Sequence, residues 1–538
     1  MKEKPLELIA RDYFQYLGTH FPQQCASDEF YFFPRSETAI EHLNTLDDLR
    51  QDKIQDHVKY LRRLLVKIPS ELAHDLEEKI DLHLLKQSME SFIREFDDFK
   101  VWKKDPTLYV KIPLFAIDQM LSQENRAQAH MRSDLLSLFD QIPNFLSVAS
   151  HNLHNPSEMA LKVALDMTQD ALDYFKHDIH AFIKEQLGED EELIKKQGVV
   201  LRAWDQYKKY LLALPTVKSF AIGEEGLQKI LTLSWRYSRS PEEILRIAHD
   251  ASMRTQERLH ALAGQIDPDK PWNVLIYDKF PQVSSKEDVL ALYQKEVEAL
   301  RRFIYSKDVI TLPPCERIVV RQTPSYLQSL RATASYRAPL TGRKNGQGVF
   351  YITPGQDDLA LIAGHCPYLS AHETYPGHHI LDHLRIHHPN PIRRQIESPL
   401  FYEGWACYAE TLLDEFGYVQ NPRQQLVQLK RQLWRDLRAI LDVKLQTGMI
   451  SPNQAAKEIT ALGFSSSRAE RQVRRFCMTP GYQLCYFIGM CEINRLRDQF
   501  APYLDLKSFH DTLLEGGQIP FHLVENRMEA LLKTDRGH

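Results

Sequence analysis

Apolar residues recur at steps of three and four along most of the chain, and this spacing predicts amphipathic helices. In the first half the pattern is clearest over residues 40–65, 70–99, 132–153 and 159–187. Polar caps and prolines separate these segments, and the run Asn155-Pro156-Ser157-Glu158 predicts a helix start with Asn155 as its N-cap. Helical periodicity resumes at residue 357 and continues to residue 533. The pattern therefore predicts a mainly α-helical protein.

Two short β-rich runs interrupt the helical pattern, Ile318-Val319-Val320 and Gly348-Val349-Phe350-Tyr351-Ile352, and they predict a small sheet. The edge of a sheet offers backbone donors and acceptors to an extended peptide. If the second run is an edge strand, Gly348, Phe350 and Tyr351 are candidate substrate-binding residues. We therefore expect an N-terminal helical region, residues 1–308, and a second region, residues 309–538, with the sheet and the C-terminal helices, in one integrated fold.

Composition narrows the class of protein. Glycine is scarce, with 21 in 538 residues, which favours helices over turn-rich β architectures. The 67 basic and 72 acidic residues leave a net charge of -5, so no overall positive field attracts nucleic acid. We expect no nucleic-acid partner.

Cysteine usage and hydropathy bear on the cellular compartment. The seven cysteines include no CxxC pair, so the sequence indicates neither a disulfide framework nor a thiolate zinc site. The opening segment has no apolar run of signal-peptide length, and no later segment approaches ~18 uninterrupted apolar residues. We expect a cytoplasmic protein without a membrane partner; the sequence does not indicate its oligomeric state.

The segment with the clearest chemistry begins at His372-Glu373 and continues through Pro376-Gly377-His378-His379 to Glu403. Two imidazoles and a downstream carboxylate are the protein ligands of many catalytic zinc sites, with water as the fourth ligand. A glutamate directly after the first histidine is the expected general base, so Glu373 takes that role in the prediction.

The spacing departs from the common HExxH helix, because the residue four positions after His372 is Pro376. In an unbroken helix His379 would lie ~10.5 Å along the axis from His372, too far for both to bind one zinc ion. Pro376 lacks the N–H that would bond the carbonyl of His372, so we expect the helix to break there. We favour His378 as the second ligand, with His379 as the alternative.

A second helix supplies the carboxylates. Ser398 followed by Pro399 is an N-cap and first-turn pair, which predicts a helix from Leu400 to about residue 416. Glu403 and Glu410 are seven residues apart and share one helix face. Glu403 can then reach the metal, and Glu410 can hydrogen-bond the far nitrogen of a ligating histidine.

The segments 372–379 and 403–410 resemble the signature of the bacterial family called domain of unknown function 885. That family is similar to the gluzincin zinc metallopeptidases. In several gluzincins an E-G-[FW]-A segment carries the glutamate ligand, and the resemblance implies that Glu403 is the corresponding residue in this sequence. The resemblance implies a two-lobed helical cleft like that of thimet oligopeptidase or angiotensin-converting enzyme. It also implies that Tyr486, in a segment that resembles the family's P-G-x-x-x-x-Y-x-x-G element, contacts the tetrahedral intermediate.

The leading hypothesis is a zinc metallopeptidase that binds one zinc ion per chain and hydrolyses oligopeptides, with Glu373 as general base. A zinc hydrolase that acts on a non-peptide amide or ester is a second hypothesis, since the same chemistry permits it. A non-catalytic helical scaffold with a relict metal site is the third.

Overall fold

The computed structural model describes residues 5–121, 127–277, 281–324, 334–341, 346–353 and 359–536. Most of these residues are helical, in agreement with the periodicity of the sequence. The helices of the first region are α1 (Pro5–His20), α2 (Pro22–Ala26), α3 (Gln51–Val66), α4 (Leu76–Ile93), α5 (Val101–Lys104), α6 (Leu108–Leu121), α7 (Gln128–Asn152), α8 (Glu158–Lys176), α9 (Asp178–Leu187), α10 (Glu191–Ala213), α11 (Gly223–Lys229), α12 (Pro241–Ile266), α13 (Trp272–Leu275) and α14 (Lys286–Lys307).

The start of α8 lies later than the sequence predicts. Ser157, not Asn155, is the N-cap residue, and its side chain accepts a backbone N–H of the first turn. Asn155 is outside the helix with φ +46°. The backbone around Pro156 is extended because it pairs with Val217, so the helix begins only after this pairing ends.

Among the described residues, the small sheet has three strands: β1 (Ile318–Gln322), β2 (Ala334–Arg337) and β3 (Gly348–Ile352). Their order is β1-β3-β2, with β3 parallel to β1 and antiparallel to β2. β3 is therefore the central strand, and the prediction that it is an edge strand is wrong. Both of its backbone edges are already paired, so Gly348, Phe350 and Tyr351 do not offer main-chain groups to a substrate.

The second region continues with eleven further helices among the described residues. They are α15 (Leu359–Gly364), α16 (Cys366–Glu373), α17 (His378–Ile386), α18 (Pro391–Gln395), α19 (Pro399–Glu415), α20 (Pro422–Gln446), α21 (Pro452–Ala461), α22 (Ser466–Met478), α23 (Leu484–Phe500), α24 (Leu506–Glu515) and α25 (Phe521–Arg536).

The main hydrophobic core extends across both regions, from Leu6 in α1 to Met528 in α25. A smaller cluster lies around α21 and α22 and includes Ile459 and Phe476. None of the described helices is long and apolar enough to cross a membrane.

Two glycines allow α19 and α23 to cross closely. A β-carbon on Gly489 would overlap the carbonyl oxygen of Leu400 and lie 2.7 Å from the Cα atom of Gly404. A β-carbon on Gly404 would in turn overlap the backbone of Gly489. This crossing holds the helix that carries Glu403 against the helix that carries Tyr486.

Candidate metal centre

The helix breaks after Glu373 and restarts at His378, as Pro376 predicts. Gly377 folds back against the preceding helix, where its N–H bonds the carbonyl of Ala371 at 3.0 Å. A β-carbon on Gly377 would overlap the carbonyl oxygen of His372, so this turn requires glycine. This turn at Gly377 reverses the chain and brings α17 beside the end of α16.

This break brings His372, His378 and Glu403 together. The Nε2 atoms of both histidines lie 3.5 Å from the same oxygen, Oε2 of Glu403. All three side chains are buried, and no other such triad of potential metal ligands occurs among the described residues. The structure thus pairs His372 with His378, the favoured alternative, and not with His379.

The donor set fits a zinc ion. Two ligands at ~2.05 Å from a tetrahedral zinc ion are about 3.3 Å apart, close to the 3.5 Å observed here, whereas hydrogen bonds are shorter, at about 2.7–3.2 Å. Oε2 of Glu403 is buried and has no hydrogen-bond partner in the part of the chain that the structure describes. A buried carboxylate oxygen near two imidazole nitrogens is suited to bind a metal ion together with them.

The electrostatics of the triad favour a cation. Burial alone would raise the pKa of Glu403, but His372 and His378 hold it well below its ordinary value. Burial alone would lower the pKa of His372, but Cys407, Glu403 and Glu410 outweigh it and raise that pKa. The buried carboxylate therefore needs a positive charge beside it, and either a protonated histidine or a metal ion supplies it.

Glu410 lies behind His372, on the side away from the triad. Its Oε1 is 2.8 Å from Nδ1 of His372, and the carboxylate is completely buried. Arg431 donates two hydrogen bonds to it, at 2.6 and 2.7 Å, and Arg435 donates another. A carboxylate at Nδ1 directs the Nε2 lone pair of the imidazole toward a metal.

Tyr402 supports the second histidine. Its ring stacks on His378 with 4.0 Å between centroids, and its hydroxyl donates to Asp382 at 2.8 Å. Asp382 in turn pairs with Arg385 at 2.9 Å. The ring of His378 is thus fixed by stacking.

Glu373 lies at the end of α16, beside the sheet. Its Oε2 accepts the backbone N–H of Tyr336 in β2 at 2.7 Å. This N–H does not bond β3, so it lies on the opposite, outer edge of β2. Among the described residues no other strand pairs with that edge. The predicted general base is thus held by a backbone N–H of β2.

The turn before α23 brings a further tyrosine to the triad. Tyr482 donates its hydroxyl hydrogen to Oε1 of Glu403 at 3.0 Å. Asp442 fixes the turn by accepting the N–H groups of Gly481 at 3.1 Å and Gln483 at 2.9 Å. Burial raises the pKa of Asp442 to about 7, against the effect of these bonds.

Tyr486 lies one helical turn further along, and the residue is 8% exposed. Burial and the nearby Glu403 raise its pKa, while Arg438 and Arg475 oppose them. The Arg438 guanidinium stacks 3.5 Å from the ring centroid. The structure thus brings Tyr486 close to Glu403, in an electrostatic setting that keeps its hydroxyl protonated.

Sequence reasoning did not identify Tyr482, Tyr402 or the backbone of Tyr336. The signal for Tyr482 was its position directly after Pro480-Gly481, which places it in a turn and not in the helix. Tyr402 precedes Glu403 by one residue on the same helix. No local pattern marks Tyr336, because its role depends on the sheet topology.

The model of the bacterial protein family of unknown function DUF885 matches residues 34–528. No curated protein matches the chain. Solved structures that share its fold include the following two. One, a "putative lipoprotein of unknown function" from Shewanella oneidensis, is 20% identical, with a TM-score of 0.74 over 90% of this chain and 94% of that one. The other, a "putative lipoprotein" from Colwellia psychrerythraea, is 18% identical, with a TM-score of 0.78 over 99% of this chain and 100% of that one. The family match covers most of the sequence, so the chain belongs to the DUF885 family of bacterial proteins.

Proposed function

We propose that this protein is a zinc-dependent peptidase that hydrolyses oligopeptides. The observation that carries the proposal is the buried Oε2 of Glu403, which lies 3.5 Å from Nε2 of both His372 and His378 and has no hydrogen-bond partner among the described residues. Glu373 directly follows His372 in the chain. The similarity of the two motifs to those of the gluzincins points in the same direction.

His372, His378 and Glu403 would hold one zinc ion. Bound zinc would lower the pKa of a coordinated water toward ~7 and polarise the scissile carbonyl. Glu373 accepts the proton of the attacking water and later delivers it to the leaving amine. One oxygen of Glu373 is held by the N–H of Tyr336, which leaves the other oxygen to take the proton.

Tyr486 is the proposed donor to the oxygen on which negative charge develops. Its protonated hydroxyl lies on the Glu403 side of α23, and the cation over its ring makes the hydroxyl a stronger donor. Donors of this kind contribute roughly 2.7–4 kcal/mol to transition-state stabilisation.

The outer edge of β2 favours a peptide over other amides or esters. Strand residues turn their backbone groups to alternate edges, so within β2 Ala334 presents its groups to the same edge as Tyr336. An extended peptide that pairs with this edge would pass next to Glu373. The substrate strand is therefore β2, in place of the β3 residues that the sequence indicated.

The test is a comparison of wild-type protein with Glu373→Gln, after both have been dialysed against zinc. We expect one zinc ion per chain in both proteins, peptide hydrolysis by the wild type, and a loss of hydrolysis of at least 10²-fold in the variant. Glu415→Gln, an exposed change on α19, is the control and should match the wild type.

Three outcomes contradict the proposal in different ways. Full activity in Glu373→Gln removes Glu373 from the mechanism. Hydrolysis of esters or non-peptide amides without cleavage of any peptide replaces the substrate class. Failure to bind zinc favours a non-catalytic scaffold. The cytoplasmic location stays a prediction that cell fractionation can test.

A further inference from the structure

We propose that His379 and Glu316 are positioning residues: they fix Tyr336, and the backbone N–H of Tyr336 fixes the general base Glu373. The inference rests on the proposed function, because it assigns Glu373 its role as base. In this proposal His379 positions Tyr336 and does not bind the metal.

His379 contacts Tyr336 directly. Its Nδ1 lies 3.3 Å from the Tyr336 hydroxyl, and the two rings are 5.7 Å apart at 65°. His379 is 1% exposed and Tyr336 is 5% exposed, so solvent does not compete for this contact. The ring of Tyr336 is therefore held at its far end.

Glu316 lies on the other side of His379, within ion-pair distance of its ring. Its Oε2 lies 3.7 Å from Nε2 of His379 and accepts the Tyr375 hydroxyl at 2.7 Å, while its Oε1 accepts Nε of Arg301 at 2.6 Å. Burial would raise the pKa of Glu316, but His379, Arg301 and Tyr375 lower it to about 2. The negative charge favours a proton on Nε2 of His379, which leaves Nδ1 to accept the Tyr336 hydroxyl.

Gly348 makes room for this arrangement. A β-carbon on Gly348 would lie 2.7 Å from both Cε2 and the hydroxyl oxygen of Tyr336, and 3.0 Å from Nδ1 of His379. Any side chain there would push the Tyr336 ring out of its place. The glycine that the sequence suggested as a substrate contact instead completes the seat of Tyr336.

The contact matters because β2 is short. Its four residues pair with β3 alone among the described strands, so the backbone has few other restraints at Tyr336. A shift of Tyr336 moves the N–H that holds Oε2 of Glu373. Displacement of a reacting group by about 1 Å can cost ~10²-fold in rate.

The first test does not depend on catalysis. Hydrogen exchange of the peptide that contains β2 is compared, by mass spectrometry, in zinc-loaded wild type, His379→Leu and His387→Leu. His387 is an exposed residue that follows α17, so it supplies the matched control. We expect exchange in β2 to rise at least tenfold in His379→Leu only, with α19 unchanged. Equal exchange in all three proteins would overturn the inference.

The second test is a double-mutant cycle with His379→Leu and Tyr336→Phe. Each single change should lower kcat by roughly 10- to 100-fold, with KM within threefold and one zinc ion per chain. The double variant should be no slower than the slower single variant, because both changes break one contact. His379→Asn keeps a polar atom near the position of Nδ1 and should recover part of the rate.

Losses that multiply in the double variant would show that the two residues act separately, and loss of zinc from His379→Leu would make His379 a ligand. Either result overturns the inference while the peptidase proposal stands. A wild type without hydrolysis defeats the peptidase proposal, and hydrogen exchange then decides the contact alone.

Discussion

Replacement of Glu410 by glutamine tests how the first metal ligand is oriented. Glu410 is buried completely, and its carboxylate lies 2.8 Å from Nδ1 of His372. Arg431 and Arg435 also bond this carboxylate. Glutamine keeps the size and shape of the side chain but removes the charge that three neighbours use.

Two separate losses follow from this geometry. The imidazole loses the charged partner that fixes its tautomer, and changes of this kind cost roughly 10- to 100-fold in metal affinity. Arg431 and Arg435 remain in place beside a neutral amide. Breaking a buried ion pair on one side costs about 3–5 kcal/mol of the free energy of unfolding.

The affinity is measured by competition for zinc with a chromophoric chelator, under conditions in which circular dichroism shows both proteins folded. Stability is measured by urea unfolding with the metal removed, so that metal binding does not contribute. Glu415→Gln is the matched control, since Glu415 lies on the same helix in a partly exposed pair with Arg497. The control should lose no more than about 1 kcal/mol and keep its zinc affinity.

Zinc binding by Glu410→Gln as tight as that by Glu415→Gln would contradict this prediction. Glu410 would then be a structural partner of the two arginines without influence on His372. A loss of affinity without a loss of stability would instead show that solvent or another acceptor compensates Arg431 and Arg435.

Three further predictions concern packing, catalysis and pH. Gly489→Ala should destabilise the protein by about 1–3 kcal/mol or more because α19 and α23 must separate, whereas Gly264→Ala, with open space around it, should be neutral or stabilising in urea unfolding. Tyr486→Phe should lower kcat on the order of 10²-fold with zinc content unchanged, whereas Tyr482→Phe should chiefly weaken zinc binding. Steady-state kinetics and metal analysis measure both effects. A loss of zinc in Tyr486→Phe together with a loss of kcat alone in Tyr482→Phe would contradict this assignment. Burial raises the pKa of Asp47 from 3.8 to about 7, so the folded protein keeps a proton that the unfolded chain releases, and wild-type stability falls as the pH rises through this window. The free energy of unfolding of Asp47→Asn, relative to that of the wild type, should therefore rise between pH 5 and pH 8. If the unfolding free energies of the two proteins changed in parallel with pH, the raised pKa of Asp47 would be refuted.

The sequence limits the candidate metal ligands to a few residues, because the end of one ligand helix and the start of the other follow from neighbouring residues. Pro376 cannot continue the helix of His372, and Ser398-Pro399 starts the helix of Glu403, so both ligand helices follow from short-range chemistry. The sequence favours His378 over His379 but leaves His379 as an alternative, since adjacent helical residues point about 100° apart and the geometry of the break is not local. It depends on how Gly377 folds back on α16, which is a tertiary contact.

The sheet shows where local patterns are insufficient. The sequence predicts an edge strand from Gly348 to Ile352, yet all five of its residues are buried. A continuous apolar run is typical of a strand covered on both faces, and that signal was present in the sequence. Strand order, however, depends on pairing between distant segments, so the position of Tyr336 beside Glu373 could not be predicted from either strand alone.

The most direct test of the central claim is anomalous diffraction from a crystal of the zinc-loaded protein, recorded on both sides of the zinc absorption edge. We expect one strong peak per chain, bonded by Nε2 of His372, Nε2 of His378 and Oε2 of Glu403. A peak bonded by His379, or no peak among these side chains, would contradict it.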